Sequence, residues 1–430
     1  FLALFTWFFL KSRMGVAMRA VADNQQVAMA MGINVERYFA LAWAMAGTVS
    51  ALGGVIWGGM LGVDVHLALV GLKVFPVVIL GGLDSVLGAV IGVHVDSKDH
   101  VWIVHRSLGT GTGSLTAFQR AAEFNPPRAE CCIPAPPVVE FDQAGRVVSS
   151  WGGPGTGFEW PSGEHGIFVD HQDNVWIGSN GQGRRTGPPG AVAQAGAEQT
   201  DTQVLKFTRA GKFLMQIGKQ NVHGGNDDTR NMLQPTGIFV DPSNNEVYVS
   251  DGEHGNHRRV IVFDGATGAY KRMWGAYGNK PEDADLGDYK PTDPPAKQFR
   301  YPHGVELSKD GLVYVADRSN NRVQVFRKDG TFVSEVVIAP KTLYPGSVDD
   351  IAFSADAQQR FMYVADNMNK RVWIVDRQSL AILGRFGEGG NHGGQFNMPH
   401  SIATDSKGNI YVTETLEGKR IQRFLFKGVK

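Results

Sequence analysis

The chain has 430 residues, enough for two or three domains, and its 42 basic and 42 acidic side chains leave no formal net charge. That balance argues against a nucleic-acid or polyanion binder, which carries a basic excess or a basic patch. Glycine is abundant at 54, without a collagen period, as a chain rich in tight turns requires. The two cysteines, Cys131 and Cys132, are adjacent, a poor spacing for a structural disulfide or a zinc ribbon, so they say little about the compartment. The chain begins at Phe1, with no charged segment of a signal peptide before its first apolar run, and is expected to be cut from a longer protein.

Composition changes abruptly near residue 93. Phe1–Leu10 is an apolar stub, too short for a bilayer span of ~20 residues. A polar stretch with Lys11, Arg13, Arg19 and Arg37 follows. Ala40–Leu61 and Val74–Val93 are then apolar runs expected to form about two transmembrane helices, the first with Gly47, Gly53, Gly54, Gly58 and Gly59 as small packing residues. Asp84 inside the second run is expected to face protein or water. The basic loop before Ala40 points to the cytoplasmic side. Two buried helices of a soluble domain are the alternative.

Several segments here resemble the permease subunit of branched-chain amino-acid ABC transporters: Gly15-Val-Ala-Met-Arg19-Ala-Val-Ala-Asp23-Asn24, Met31-Gly32-Ile33-Asn34, Gly71-Leu-Lys-Val-Phe75 and Leu80-Gly81-Gly82-Leu83-Asp84-Ser85. The resemblance covers residues 1–92 and implies a bacterial inner-membrane location. It also implies an ATPase subunit as partner, docked through residues 11–37. Other helices of such a permease have no counterpart, so this fragment is not expected to transport anything alone.

After residue 93 one pattern recurs six times: an apolar strand ending at Asp or Ser, a polar turn, then an apolar strand with an aromatic. Examples are Gly166-Ile-Phe-Val-Asp170…Val175-Trp-Ile-Gly and Ser401-Ile-Ala-Thr-Asp405…Ile410-Tyr-Val-Thr. Hairpin turns such as Lys309-Asp-Gly311 separate the paired strands, and a third strand such as Arg322-Val-Gln-Val-Phe326 usually follows. Successive copies lie 46 to 74 residues apart, the scale of propeller blades. The motif resembles the NHL repeat. The expected fold is therefore an all-β six-bladed propeller over residues 93–430, preceded by a short α-helical transmembrane fragment over residues 1–92.

The residue just before each copy is Ile91, His165, Thr236, His303, Asp349 and His400 in turn. Histidine occupies copies two, four and six, which stand ~120° apart in a six-bladed ring. Each starts the innermost strand of its blade, so the three imidazoles are expected to converge on the axis as a three-histidine, catalytic-type zinc site. Pro161, Pro302 and Pro399, with Phe158, Phe299 and Phe396, give the three segments a shared context. Fifteen residues after Ile91, His165, His303 and His400 lie Arg106, Asn180, Arg318 and Thr415, returned to the same face by an up-and-down strand pair. Arg106 and Arg318 are candidates to hold a substrate carboxylate bidentately, or else belong to salt bridges within the repeats.

With Glu164-His165-Gly166, Tyr301-Pro-His303-Gly, Asn397-Met-Pro-His400-Ser, Trp102-Ile-Val-His105-Arg106 and Val315-Ala-Asp-Arg318 laid out, residues 93–430 resemble the peptidyl-α-hydroxyglycine α-amidating lyase family. The resemblance implies zinc on the three histidines, arginines at Arg106 and Arg318 lining the site, and cleavage of a carbinolamide C–N bond to a peptide amide and glyoxylate. Two positions depart from the family. Its base is a tyrosine directly after the Asp-Gly of repeat three, where this chain has Glu253 and His254, both candidates to replace it. Its structural calcium uses an Asp after the third histidine, where this chain has Ser401, so Ca²⁺ is doubtful. The competing functions are a non-catalytic propeller binding protein or peptide, and a membrane component of branched-chain amino-acid transport. A propeller ring closes by pairing a strand from one terminus with the last blade. Permease-like sequence stands where that strand is needed, so a frayed seam between the first and last blades is expected.

Overall fold

The computed structural model describes residues 11–23, scattered positions between 34 and 48, and residues 90–430 apart from 108–133, 184–198, 254–256, 284, 417 and 429–430. The chain divides into two compact units, Phe1–Asp84 and Ser85–Lys430. In the first, helix α1 (Arg13–Asp23) starts where the Ser12 hydroxyl accepts the Gly15 N–H at 2.9 Å, an N-cap of the usual kind. Among the described residues no helix is long and apolar enough to cross a membrane. Most of the runs Ala40–Leu61 and Val74–Val93 lies outside the described residues. The end of the second run is not helical: Val90–Val95 is a strand, so the propeller begins before residue 93.

Among the described residues the second unit holds six blade sheets, each running outward from an innermost strand, and one two-stranded ribbon. Blade 1 is β1 (Val90–Val95), β2 (Val101–His105), β3 (Val138–Phe141) and β4 (Val147–Trp151). Blade 2 is β5 (Glu164–Val169), β6 (Asn174–Ser179), β9 (Val204–Thr208) and β10 (Phe213–Ile217), with a small ribbon of β7 (Gln182–Gly183) and β8 (Gln199–Thr200) beside it. Blade 3 runs β11 (Pro235–Asp241), β12 (Glu246–Asp251), β13 (Arg259–Asp264), β14 (Tyr270–Trp274). Blade 4 runs β15 (Pro302–Leu307), β16 (Leu312–Asp317), β17 (Arg322–Arg327), β18 (Phe332–Val337). Blade 5 runs β19 (Asp350–Phe353), β20 (Phe361–Asp366), β21 (Arg371–Asp376), β22 (Ile382–Phe386). Blade 6 has three strands, β23 (Pro399–Thr404), β24 (Ile410–Glu414) and β25 (Arg420–Phe424). Neighbouring blades pack in ring order β1, β5, β11, β15, β19, β23 and back to β1.

The repeat motif has a physical cause. The Asp that ends an innermost strand accepts two turn N–H groups and the ring donor of the aromatic on the next strand. Asp96 takes the N–H groups of Lys98 and His100 at 2.8 and 3.0 Å and Trp102 Nε1 at 3.0 Å. Asp170 does the same with Gln172, Asn174 and Trp176 Nε1, and Asp405 with Lys407, Asn409 and the Tyr411 hydroxyl. Each carboxylate thus locks a hairpin and points an aromatic ring into the inter-blade core. The phenylalanines that precede the histidines pack on a phenylalanine of the third strand of their own blade: Phe158 on Phe207, Phe299 on Phe326, Phe396 on Phe424.

Glycine follows the axial residue in blades 1 to 4 because adjacent backbones meet there. A Cβ on Gly92 would lie 2.5 Å from the His165 carbonyl oxygen, and one on Gly166 1.9 Å from that of Thr236. Blades 5 and 6 carry Asp350 and Ser401 at this position, joined by a 2.6 Å hydrogen bond from the Ser401 hydroxyl to Asp350.

The seam departs from the expectation of fraying. Blade 6 does lack a fourth strand among the described residues. Yet Val90, Val93, Ile103, Ala403 and Tyr411 share one buried cluster across the seam. The Val93 N–H donates to the Ser401 hydroxyl at 3.3 Å, and Ser406 N donates to Asp99 at 2.8 Å. Apolar packing between sheet faces closes the ring where a shared strand does not.

Candidate metal centre

His165, His303 and His400 sit at the starts of β5, β15 and β23 and meet on the axis. Their ring centroids are 4.7 to 4.9 Å apart, and one ligand nitrogen from each lies within 4.8 Å of the others. All three are at most 5% exposed. The alternate blades fix the rings from behind. His303 Nδ1 donates to the Asp349 carbonyl oxygen at 2.6 Å, and His400 Nδ1 donates to that of Ile91 at 2.8 Å. With the proton on Nδ1, each Nε2 presents a lone pair to the axis, the tautomer a metal needs. Nε2 of His165 and of His303 is buried and makes no hydrogen bond. Burial drives His165 and His400 well below the usual histidine pKa, helped by the other imidazoles, while Glu253 pulls the other way. Buried imidazoles with unpaired nitrogens fit a zinc ion well.

Above the imidazoles, side chains from four consecutive blades join in an arc. Arg106 Nη2 donates to Asn180 Oδ1, and Asn180 Nδ2 donates to Glu253 Oε2. Arg318 Nη1 donates to Glu253 Oε1 at 2.9 Å. Arg318 Nε lies 3.0 Å from Asp349 Oδ1 but is not aligned for a hydrogen bond. Arg106 Nε also reaches the Glu164 carbonyl oxygen at 3.2 Å. Glu253 Oε2 is 3.3 Å from His165 Nε2, and Oε1 is 3.6 Å from His303 Nε2. Burial pushes Asp349 up to about 6 against the pull of Arg318, and Glu164 up to about 7 against its bond from Trp160.

Among the residues singled out in the sequence, the fold therefore gathers His165, His303, His400, Arg106, Arg318 and Glu253 into one place. His254 lies outside the described residues. Both arginines also have protein partners, Arg318 in Glu253 and Arg106 in Asn180. Asn180 is the link that the sequence indicated only by register. The carbonyls of Ile91 and Asp349 had no signal, because a backbone acceptor is the same in every residue. A second grouping of possible ligands, Asp96, His100 and Glu140, is filled by Arg209, whose Nη2 lies 2.8 Å from Asp96 and also donates to Glu140.

Known proteins resemble the chain in two separate parts. The branched-chain amino acid transport system/permease component family matches residues 1–96, and the NHL repeat family matches residues 299–326 and 396–424. The peptidyl-glycine α-amidating monooxygenase B of Xenopus laevis is 26% identical over 344 residues, 77% of this chain and 33% of its own. The peptidyl-α-hydroxyglycine α-amidating lyase 1 of Drosophila melanogaster is 26% identical over 365 residues, 80% of this chain and 58% of its own. The branched-chain permease protein LivH of Salmonella typhimurium is 38% identical over 89 residues, 20% of this chain and 29% of its own. The chain thus spans about a third of the length of the first of these curated relatives. Among solved structures, the virginiamycin B lyase of Staphylococcus aureus aligns over 80% of this chain and 87% of its own at 13% identity and a TM-score of 0.42, which adds nothing to the fold traced above. The chain accordingly carries NHL repeats in a propeller homologous to the peptidyl-hydroxyglycine lyases, after a segment homologous to branched-chain amino-acid permeases.

Proposed function

We propose that the propeller is a zinc-dependent lyase that cleaves the C–N bond of a carbinolamide in a peptide-like, carboxylate-bearing substrate, releasing an amide and glyoxylate. The observation that carries this is the set of three buried imidazoles on the axis, two of them with Nδ1 tied to a carbonyl, and with Nε2 of His165 and His303 left without a hydrogen bond. Bound there, zinc supplies a Lewis acid for an oxygen of the substrate. The side chains have separate tasks. Arg318 is the buried cation next to the histidines, placed to orient a carboxylate. Arg106, through Asn180, holds the opposite side of the arc. Cleavage moves the hydroxyl proton of the carbinolamide to the departing amide nitrogen, so no water is consumed. Glu253, in van der Waals range of two imidazoles, is the described carboxylate placed to hold that proton in transit.

The test is glyoxylate release from an N-acyl-α-hydroxyglycine by the zinc-loaded full chain, its loss on chelation, and its return with added zinc. Absence of glyoxylate from zinc-loaded protein would overturn the proposal. A second reading, a metal-stabilised propeller that binds peptides without cleaving them, is favoured by the internal partners of both arginines. It predicts peptide binding without glyoxylate. The permease-like segment further supports a membrane association, tested by whether the chain stays with membranes after alkaline carbonate extraction.

A further inference from the structure

Glu253 already pairs with Arg318, yet it also faces the imidazoles. His303 Nδ1 donates to the Asp349 carbonyl oxygen, which turns its Nε2 toward the axis. That nitrogen faces Glu253 Oε1 at 3.6 Å, and His165 Nε2 faces Oε2 at 3.3 Å, neither nitrogen making a hydrogen bond. Buried polar atoms left without a partner are costly. A metal ion between them and the carboxylate would satisfy both. The separations also fit, because two ligands ~2.0–2.1 Å from one tetrahedral ion stand ~3.3–3.4 Å apart.

We infer that Glu253 is the fourth protein ligand of the metal, making a three-histidine, one-carboxylate site that is closed at rest and that a carboxylate-bearing ligand opens by displacing Glu253. This rests on the zinc site proposed above and deepens it. The partners of Glu253 prepare the exchange. Arg318 Nη1 holds Oε1 at 2.9 Å and Asn180 holds Oε2, so the carboxylate is aimed at the imidazoles by two hydrogen bonds from other blades. An incoming carboxylate that takes the Arg318 donor from Glu253 also loosens the Glu253 oxygen nearest His303. One event thereby opens a coordination position and releases a carboxylate beside it. Metal-binding groups oriented from outside in this way are normal, since the second layer of contacts fixes the ligand geometry. Glu253 lies in the longer third repeat, in the stretch Asp251-Gly-Glu253, and its backbone N–H reaches the Gln234 carbonyl oxygen at 3.5 Å.

Cobalt substitution tests this without relying on turnover. The full chain is stripped, loaded with Co²⁺, and its visible d–d spectrum compared between wild type, Glu253→Gln and Glu253→Ala, with zinc affinity measured by competition against a chromophoric chelator. Loss of a ligand should shift the band and weaken zinc binding by about 100-fold or more, since removing even an outer-shell partner costs ~10–100-fold. Added acetate should restore the wild-type spectrum in Glu253→Ala, and should shift the wild-type spectrum itself only at much higher concentration. Should Glu253→Ala fail to fold, the isosteric Glu253→Gln spectrum decides alone. Superimposable spectra and equal zinc affinity in wild type and Glu253→Gln overturn this inference and leave the three-histidine site standing. Failure of wild type to bind either metal overturns the proposed function, and this inference with it.

Discussion

Blades 2, 4 and 6 and blades 1, 3 and 5 are built on one repeat, yet they serve the axis with different chemistry. The first set contributes side chains: His165, His303 and His400 each open an innermost strand. In the second set, blades 1 and 5 contribute main chain: the carbonyls of Ile91 and Asp349 hold the rings of His400 and His303. Blade 3 reaches the site from beyond its second strand, through Glu253. A ring of near-identical units thus divides imidazole and orienter between neighbours. The identity of a residue matters in the first set, whereas in the second its backbone placement suffices.

Substitutions should separate the two sets. The largest effect is expected at a ligand: His303→Ala should reduce bound zinc from about one per chain to nearly none, measured by elemental analysis of protein that keeps its β-sheet spectrum. Next is the arc. Arg318→Ala leaves Glu253 and Asp349 without their buried cation and should lower unfolding free energy by about 3–5 kcal/mol, read by urea denaturation of metal-free protein. Superimposable denaturation curves would show that the pair contributes nothing.

His105 sharpens the contrast, being a buried histidine at the end of a second strand rather than the start of an innermost one. Burial lowers it to about 4, against a 2.9 Å hydrogen bond to the Pro136 carbonyl oxygen. It is neutral in the fold, whereas in the unfolded chain it protonates near pH 6.5. The unfolded state therefore gains a proton first, and the stability His105 provides is complete above about pH 6.5 and lost as pH falls toward about 4. His105→Gln should flatten the pH dependence of unfolding by about 3 kcal/mol across that window. An unchanged slope would contradict the assignment.

Gly166→Ala probes the backbone contact between sets. Its Cβ would come 1.9 Å from the Thr236 carbonyl oxygen and force blades 2 and 3 apart, at a cost of about 1–3 kcal/mol. The smallest effect belongs to Ile91→Val. The carbonyl that holds His400 survives the change, so zinc content should stay the same while stability falls by about 0.5–1.5 kcal/mol.

Much of this was legible in the sequence because the repeats carry it twice. Alternation of period two marks the strands, and each Asp that binds a Trp or Tyr ring donor leaves both residues visible at fixed spacing, as in Asp170 and Trp176. The histidine register was legible for the same reason. What the sequence hid has physical causes. The apolar run through Val90–Val95 lacks a period that tells strand from helix, so the start of the propeller was placed late. Seam closure depends on side-chain packing between distant positions such as Val90 and Tyr411, which no local pattern encodes. The protein partner of Arg318 was hidden too, because Glu253 lies 65 positions away in another blade.

Three imidazoles from alternate blades are expected to hold one metal ion. Elemental analysis of the purified full chain beside the triple variant His165→Ala/His303→Ala/His400→Ala tests it most directly. About one zinc per wild-type chain, and almost none in a variant that retains the propeller's circular dichroism, is the expected result. Equal zinc in both proteins, or none in the wild type after zinc loading, would contradict it.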